Sequence, residues 1–131
     1  MPPSTSVKII FIVDEDLGFV FSLGRLLTDA GYQVWPARSG GDAAALLNEL
    51  RSGLDLLIIN PNSCGAVRFV QEQRDLAAFK MIVIQEERSA DFFGADAVLM
   101  KAADEVSRFE WLGVVERLLH NEEQRTASQP V

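Results

Sequence analysis

The feature that most constrains the fold is an alternation of short apolar runs with segments of helical periodicity. Five runs rich in Val, Ile and Leu have the length of strands, and they occupy 7–13, 32–37, 54–59, 80–85 and 97–100. Continuous apolar runs are typical of strands buried on both faces of a sheet. Alternation of strands and helices therefore predicts an α/β fold with a parallel sheet covered on both sides.

The segments between the runs have the spacing of amphipathic helices. In the first, Val20, Leu23 and Leu27 recur at helical spacing, and Gly31 stands where a helix would end. Further helices are predicted at about 42–51, 66–74 and 104–120. Pro36, near the end of the second strand, favours an edge position because proline cannot donate to a ladder of hydrogen bonds.

The length of 131 residues fits one compact domain, which we assign to 7–120. Residues 1–6 are short and polar and are expected to be flexible. Residues 121–131 are polar and without periodicity, which indicates a flexible tail or linker.

The balance of charge excludes one class of partner. Twelve basic and nineteen acidic side chains give a formal charge of −7, which disfavours direct binding to nucleic acid. No apolar run approaches the length of a membrane span. Cys64 is the single cysteine, so no internal disulfide is possible and a cytoplasmic location is expected.

Polar side chains follow four of the predicted strands, where each strand ends. They are Asp14 with Glu15, then Asn60, Gln85 and Lys101. The carboxyl ends of parallel strands meet at one edge of a sheet, and function in such folds is concentrated there. These side chains are therefore the candidate site.

Four stretches resemble the receiver domain of two-component response regulators, over about 7–120: "FIVDED", "LLTDAGYQVWPARSGGDAAALL", "DLLIIN" and "GADAVLMK". The resemblance implies a five-stranded parallel sheet of flavodoxin-like order. It also implies an acidic pair that binds a divalent ion, here Asp14 and Glu15, and an aspartate after the third strand that accepts a phosphoryl group. A hydroxyl residue after the fourth strand and a lysine after the fifth, matched by Lys101, would contact that group.

The chain departs from the family pattern at the positions that carry its chemistry. Asn60 stands in place of the acceptor aspartate, Gln85 in place of the hydroxyl residue, and Val98 where an aromatic switch residue is common. An amide carries no charge and does not attack phosphorus, whereas a carboxylate does. A single change could be a laboratory mutation; together these changes indicate a natural pseudo-receiver. Its vestigial phosphorylation site comprises Asn60, Gln85, Lys101, Asp14 and Glu15.

The segment before the fifth strand is short for the family. Gln85 and Lys101 are 16 positions apart. That is about six fewer than the family usually has, or roughly one and a half helical turns. The fourth helix of the family, part of its output face, is therefore expected to be shortened or missing.

Each site residue has a second interpretation. Asp14 and Glu15 could bind Mg²⁺ weakly, or could form a solvated acidic loop that caps the first helix. Lys101 could pair with this acidic loop instead of a phosphoryl group, and Asn60 could hydrogen-bond across the pocket. Cys64 as a reactive thiol is a further option, disfavoured because reactive thiols lie near positive rather than negative charge.

Three aromatic residues suggest a surface for partners. Phe19, Phe21 and Trp111 cannot all point inward together with their Leu and Val neighbours. An exposed apolar patch on the first or last helix is expected, and such patches mark interaction sites.

Two functions remain open. The first is an atypical receiver that is not an enzyme, has no catalytic residue or cofactor, and acts by phosphorylation-independent protein–protein interaction. The second is a functional receiver phosphorylated at a non-standard acceptor such as Ser63. The expected partner is a second copy of the chain, a histidine kinase or an effector domain. A nucleotide-binding enzyme is excluded, because "DEDLG" offers carboxylates where a phosphate cradle needs glycines and free N–H groups.

Overall fold

Five parallel strands form one sheet in the order β2-β1-β3-β4-β5. They are β1 (Ile9–Val13), β2 (Gln33–Ala37), β3 (Leu56–Ile59), β4 (Lys80–Gln85) and β5 (Ala97–Met100). The computed structural model describes residues 7–50, 53–76, 78–85, 95–101 and 105–128, with the backbone alone described at 105–108 and 121–128. The predicted flavodoxin-like sheet is confirmed, and β2 with its Pro36 lies at an edge.

Four helices accompany the sheet in the described part of the chain. They are α1 (Leu17–Asp29), α2 (Gly40–Glu49), α3 (Ala66–Arg74) and α4 (Glu105–Ser128). The side chain of Asp16 accepts a hydrogen bond from the N–H of Phe19 at 3.2 Å and caps α1. The hydroxyl of Ser39 accepts from the N–H of Asp42 at 3.1 Å and caps α2. Short polar side chains at these positions satisfy N–H groups that the helix leaves without a partner.

The alternation of side chains along each strand creates two cores. On one face, Ile10, Ile12 and Ile58 pack with residues of α1 and α4. On the other face, Phe11 and Leu57 pack with residues of α2 and α3. Both faces of the central strands are therefore buried, as their continuous apolar runs predicted.

At the amino-terminal edge of the sheet, two carboxylates accept hydrogen bonds from backbone N–H groups near the beginning of neighbouring strands. Asp55 accepts from the N–H of Ile9 at 2.8 Å, and Asp96 accepts from the N–H of Met81 at 2.7 Å. Each carboxylate satisfies a backbone donor on the neighbouring strand, which fixes where the two strands begin relative to each other.

The last helix is longer than the sequence predicted. Its expected end at His120 is wrong, because α4 continues to Ser128. The added stretch, "NEEQRTAS", contains Glu, Gln, Arg and Ala, which have high helix propensity, and no Gly or Pro. No helix in the described ranges combines the length and the apolar character that crossing a bilayer would need.

Several predictions fall on residues outside the described ranges. In the described part β5 follows β4 without a helix, but 86–94 is not described, and the shortened fourth helix was predicted there. Residues 1–6 and 129–131 also lie outside the description.

Tyr32, which precedes β2, should make stability fall at high pH. Its hydroxyl is 3.0 Å from Nε2 of His120, so it ties β2 to α4. Burial, and to a smaller extent Glu116, raise the pKa of the Tyr32 phenol. The folded state therefore holds this proton more tightly than the unfolded chain, and the free energy of unfolding should fall as pH rises above about 10.

Tyr32 is the sole tyrosine, so its ionisation can be followed directly by ultraviolet absorbance. Denaturant unfolding of the wild type and of Tyr32→Phe should be compared between about pH 8 and about pH 11. The wild type should lose more stability over this interval than the variant. Equal losses would contradict the assignment.

Candidate functional site

The carboxyl ends of β1, β3 and β5 bring three polar side chains together: Asp14, Asn60 and Lys101. Backbone hydrogen bonds extend the sheet one residue past β3 and β5 and thereby fix the backbone positions of Asn60 and Lys101. The N–H of Asn60 donates to the carbonyl of Val13 at 2.9 Å, and the N–H of Lys101 donates to the carbonyl of Gln85 at 3.1 Å. The sequence predicted this gathering, because parallel strands end at one edge.

Asp14 is the centre of the site. It is 2% exposed, yet three donors satisfy its carboxylate. Nζ of Lys101 lies 2.9 Å from Oδ2, Nδ2 of Asn60 lies 3.3 Å from the same oxygen, and the N–H of Asp16 donates to Oδ1 at 2.9 Å. The predicted ion pair and the predicted amide hydrogen bond are both present. A buried charge with this many partners is tolerated, whereas an unpaired one is costly.

Lys101 also contacts Asp16 and Phe19. Its Nζ lies 3.4 Å from Oδ2 of Asp16 and 5.0 Å from the centroid of the Phe19 ring. An ammonium group near an aromatic ring is attracted by the negative face of that ring. Lys101 is therefore a fixed cation between two carboxylates.

Asp16 is a site residue that sequence reasoning missed. The hydrogen bond from the N–H of Phe19 is the main cause that lowers the pKa of the Asp16 carboxyl, and Lys101 lowers it further, although partial desolvation acts in the opposite direction. The sequence carried a signal for this residue: an aspartate directly before an apolar helical segment is a preferred cap.

The orientation of the Asn60 amide explains why an asparagine suits this position. Its Oδ1 accepts from the N–H of Asn62 at 2.9 Å, which leaves Nδ2 facing Asp14. An aspartate in the same rotamer would place a carboxylate oxygen against another carboxylate oxygen. The amide thus complements Asp14 where a second carboxylate would repel it.

A divalent ion, which the resemblance implies, does not fit these residues. Asp14 already holds the Lys101 ammonium, and Asn60 presents its nitrogen rather than its oxygen. Oε2 of Glu15 accepts from the N–H of Cys64 at 3.3 Å and so is directed to the loop after β3. Within the described ranges, no group of three or more His, Cys, Asp or Glu side chains could hold a metal ion.

Two further predicted residues lie on β4 and β5. Gln85 ends β4, is partly buried and is paired in register with Met100. Val98 lies inside β5, pairs with Val83 and is 47% exposed. Val98 therefore projects from the sheet at a distance from the strand ends, and the structure does not join it to Asp14 and Asn60.

The predicted aromatic surface is only partly correct. Trp111 is 2% exposed, and its Nε1 donates to the carbonyl of Met100 at 3.2 Å. Phe19 packs edge-on against Trp111, with ring centroids 5.7 Å apart. The assignment of Trp111 to an exposed surface is therefore wrong. The side of α4 that packs against the sheet is the one that carries Trp111, Val115 and Leu119. Phe21 is 61% exposed.

The loop after β3 is held against the start of α2. The N–H of Gly40 donates to the carbonyl of Cys64 at 2.8 Å. A Cβ at Gly40 would overlap the carbonyl group of Gly65, and Gly65 itself has a φ of 72°. Two glycines therefore allow α2 to approach the loop that carries Asn62 and Cys64.

Comparison of the sequence finds no relative: no protein-family model matches the chain, and no curated protein matches it. The fold, by contrast, matches solved structures of receiver domains.

Three such structures illustrate the similarity. A signal receiver domain of an HD domain-containing protein from Pseudomonas fluorescens Pf-5 has a TM-score of 0.77 and 16% identity, covering 98% of each chain. The N-terminal domain of a response regulator/sensory box/GGDEF three-domain protein from Carboxydothermus hydrogenoformans has a TM-score of 0.73 and 17% identity, covering 91% of this chain and 99% of that one. A CheY-like receiver domain from Methanospirillum hungatei JF-1 has a TM-score of 0.69 and 24% identity, with the same coverage. At these identities the similarity establishes the fold.

Proposed function

We propose that this chain is an atypical receiver domain that acts by protein–protein interaction without accepting a phosphoryl group. It is a cytoplasmic binding module of two-component type rather than an enzyme, and it needs no resident metal ion. Its fold, which matches that of receiver domains, supports the class. The arrangement at the strand ends supports the loss of phosphoryl chemistry.

The observation that carries the proposal is the pairing of Asn60 with Asp14. Formation of an acyl phosphate needs a carboxylate nucleophile, and the side chain at the end of β3 is an amide. Its nitrogen donates to Asp14, so even its oxygen is turned away from the site. No proton transfer would convert this group into a nucleophile.

A second observation concerns the cation. In phosphoryl transfer, positive charge stabilises the charge that develops on the transferred group. Here the Lys101 ammonium is already neutralised by Asp14 and Asp16. A phosphoryl group would have to displace one of these carboxylates and would meet the negative charge of the other.

Phosphorylation is the direct test. After incubation with Mg²⁺ and acetyl phosphate, the intact mass of the wild-type chain should be unchanged, whereas a conventional receiver domain treated in parallel should gain a phosphoryl group. A wild-type adduct that hydroxylamine removes would identify an acyl phosphate and would overturn the proposal. An adduct resistant to hydroxylamine would indicate a hydroxyl acceptor such as Ser63, and would overturn it equally.

Asn60→Asp is the matched variant for this experiment. It restores a carboxylate at the end of β3 but leaves Gln85 and Val98 unchanged. We expect any phosphorylation-dependent change in its amide NMR spectrum to stay confined to the neighbours of position 60, because Gln85 and Val98 stand where the responding residues of a receiver would be. A large change across β4 and β5 would show that the switch is intact and that only the acceptor is missing.

A further inference from the structure

The outer face of α1 lies away from the strand-end site, and Leu26 is the one residue in it that also packs against a core. This face comprises Phe21, Ser22, Arg25, Leu26 and Asp29, which line a shallow groove of about 570 Å³. These residues lie opposite the buried stripe of the same helix. An aromatic side chain that is 61% exposed beside such a groove is typical of a surface that binds another protein.

The charges on this face have no partner among the residues that the structure describes. Arg25 and Asp29 are one helical turn apart, but neither makes an ion pair or hydrogen bond with a described residue. A pair of the same type and spacing on α3 behaves differently, because Arg68 and Glu72 are joined at 3.2 Å. The side chains of Arg25 and Asp29 therefore remain available for a partner.

We infer that the partner for this face is a second copy of the same chain, packed with the two α1 helices antiparallel. The inference rests on the proposed interaction role and specifies its partner. A two-fold axis beside Arg25 would place Phe21 of each copy level with Asp29 of the other. Each Phe21 would then pack on the facing helix beside its Asp29, at one end of the groove.

The same arrangement pairs the charges. Side chains on a helix lean towards its amino end, so Arg25 extends towards the level of its own Phe21, where Asp29 of the second copy lies. Two equivalent Arg25–Asp29 pairs form, one on each side of the axis. A face that carries one cation and one anion four residues apart is thus complementary to itself, as a two-fold interface requires.

The expected dimer is weak and depends mainly on Phe21. Exposed ion pairs add little to affinity, although they orient the partners, whereas buried aromatic side chains carry much of the binding energy. In sedimentation equilibrium, Phe21→Ser should raise the dimer dissociation constant at least about tenfold. Leu76→Ser, at an exposed position on the opposite face of the sheet, should leave it unchanged.

Charge reversal tests the antiparallel arrangement of the two α1 helices, because two charge variants that associate poorly with themselves should associate with each other. Arg25→Glu and Asp29→Arg should each weaken self-association, since each sets like charges against one another. When the two variants are mixed, both ion pairs can form again, and a heterodimer should appear. Arg68→Glu and Glu72→Arg on α3 change the net charge by the same amounts and should change neither self-association nor mixing.

The outcomes separate this inference from the proposed function. A wild-type chain that stays monomeric at millimolar concentration, or a dimer that is equally strong in Phe21→Ser and in both charge variants, would overturn α1 pairing. Either result would leave the phosphorylation test unaffected. Conversely, a phosphoryl adduct on a dimeric chain would overturn the proposed function while α1 pairing stood. Circular dichroism should show that all these exposed variants are folded.

Discussion

Gly40→Ala is expected to destabilise the domain by about 3 kcal/mol or more. The new Cβ would overlap the backbone carbonyl of Gly65, which cannot move aside as the end of a flexible side chain can. Either α2 or the loop after β3 would have to shift, and the hydrogen bond from Gly40 to Cys64 would weaken. Because that loop carries the residues that orient Asn60, the strand-end site should also be disturbed.

The neighbouring glycine is a control for this prediction. A Cβ at Gly41 would meet only the Ser39 hydroxyl, at 3.8 Å, and Gly41 is not among the residues with positive φ. Gly41→Ala should therefore be neutral or stabilising by up to about 1 kcal/mol, because alanine favours a helix over glycine. Denaturant unfolding of the two variants gives the comparison. Equal stability of the two variants would mean that α2 and the loop do not approach as closely as described.

Lys101→Met should destabilise the domain by about 3 kcal/mol near neutral pH. It removes the cation from Asp14, which is 2% exposed and would remain buried with only neutral donors. Millimolar Mg²⁺ should restore part of the lost stability in this variant, because Asp14 and Asp16 would then be open to another cation. The wild type should show no such effect, since its own ammonium occupies that position.

A double-mutant cycle identifies the cause of this loss. Asp14→Asn combined with Lys101→Met leaves no unpaired carboxylate at the centre of the site. The double variant should therefore lose less stability than the sum of the two single variants. Additive losses, or a variant whose midpoint of unfolding ignores Mg²⁺, would show that Lys101 does not act as the counter-ion of Asp14.

Asn60 and Lys101 stabilise the same buried carboxylate, that of Asp14, in two different ways. Asn60 acts as a neutral donor and Lys101 as a charge. The Asn60 amide at the end of β3 is not a nucleophile, and it supplies a hydrogen bond to Asp14 there. The site is thus consistent with a stable structural centre, and the proposed interaction role relocates recognition to the surface of the domain.

Much of the fold could be predicted from the sequence because its signals are local. The apolar runs that form β1, β3 and β4 are buried on both faces, and Pro36 indicated the edge position of β2. Since strands of a parallel sheet all end at one edge, the meeting of Asp14, Asn60 and Lys101 followed from the order of elements alone. Their charges further indicated that Lys101 would pair with an acidic group.

Other features depended on contacts between residues far apart in the chain. The packing of α4 on the sheet decided that Trp111 is buried and that its Nε1 donates to the carbonyl of Met100. The close approach of Gly40 and Gly65 arises where α2 meets a loop 25 positions away along the chain.

The sequence by itself thus determined the order of the elements, the gathering of polar groups at one edge and the absence of a nucleophile at Asn60. Tertiary structure alone decided which way the Asn60 amide points, which acid besides Asp14 holds Lys101, and that Phe21 is the exposed aromatic of α1. The physical reason is that periodicity and residue chemistry act over a few positions. Helix rotation and side-chain orientation are instead set by how all the elements pack together.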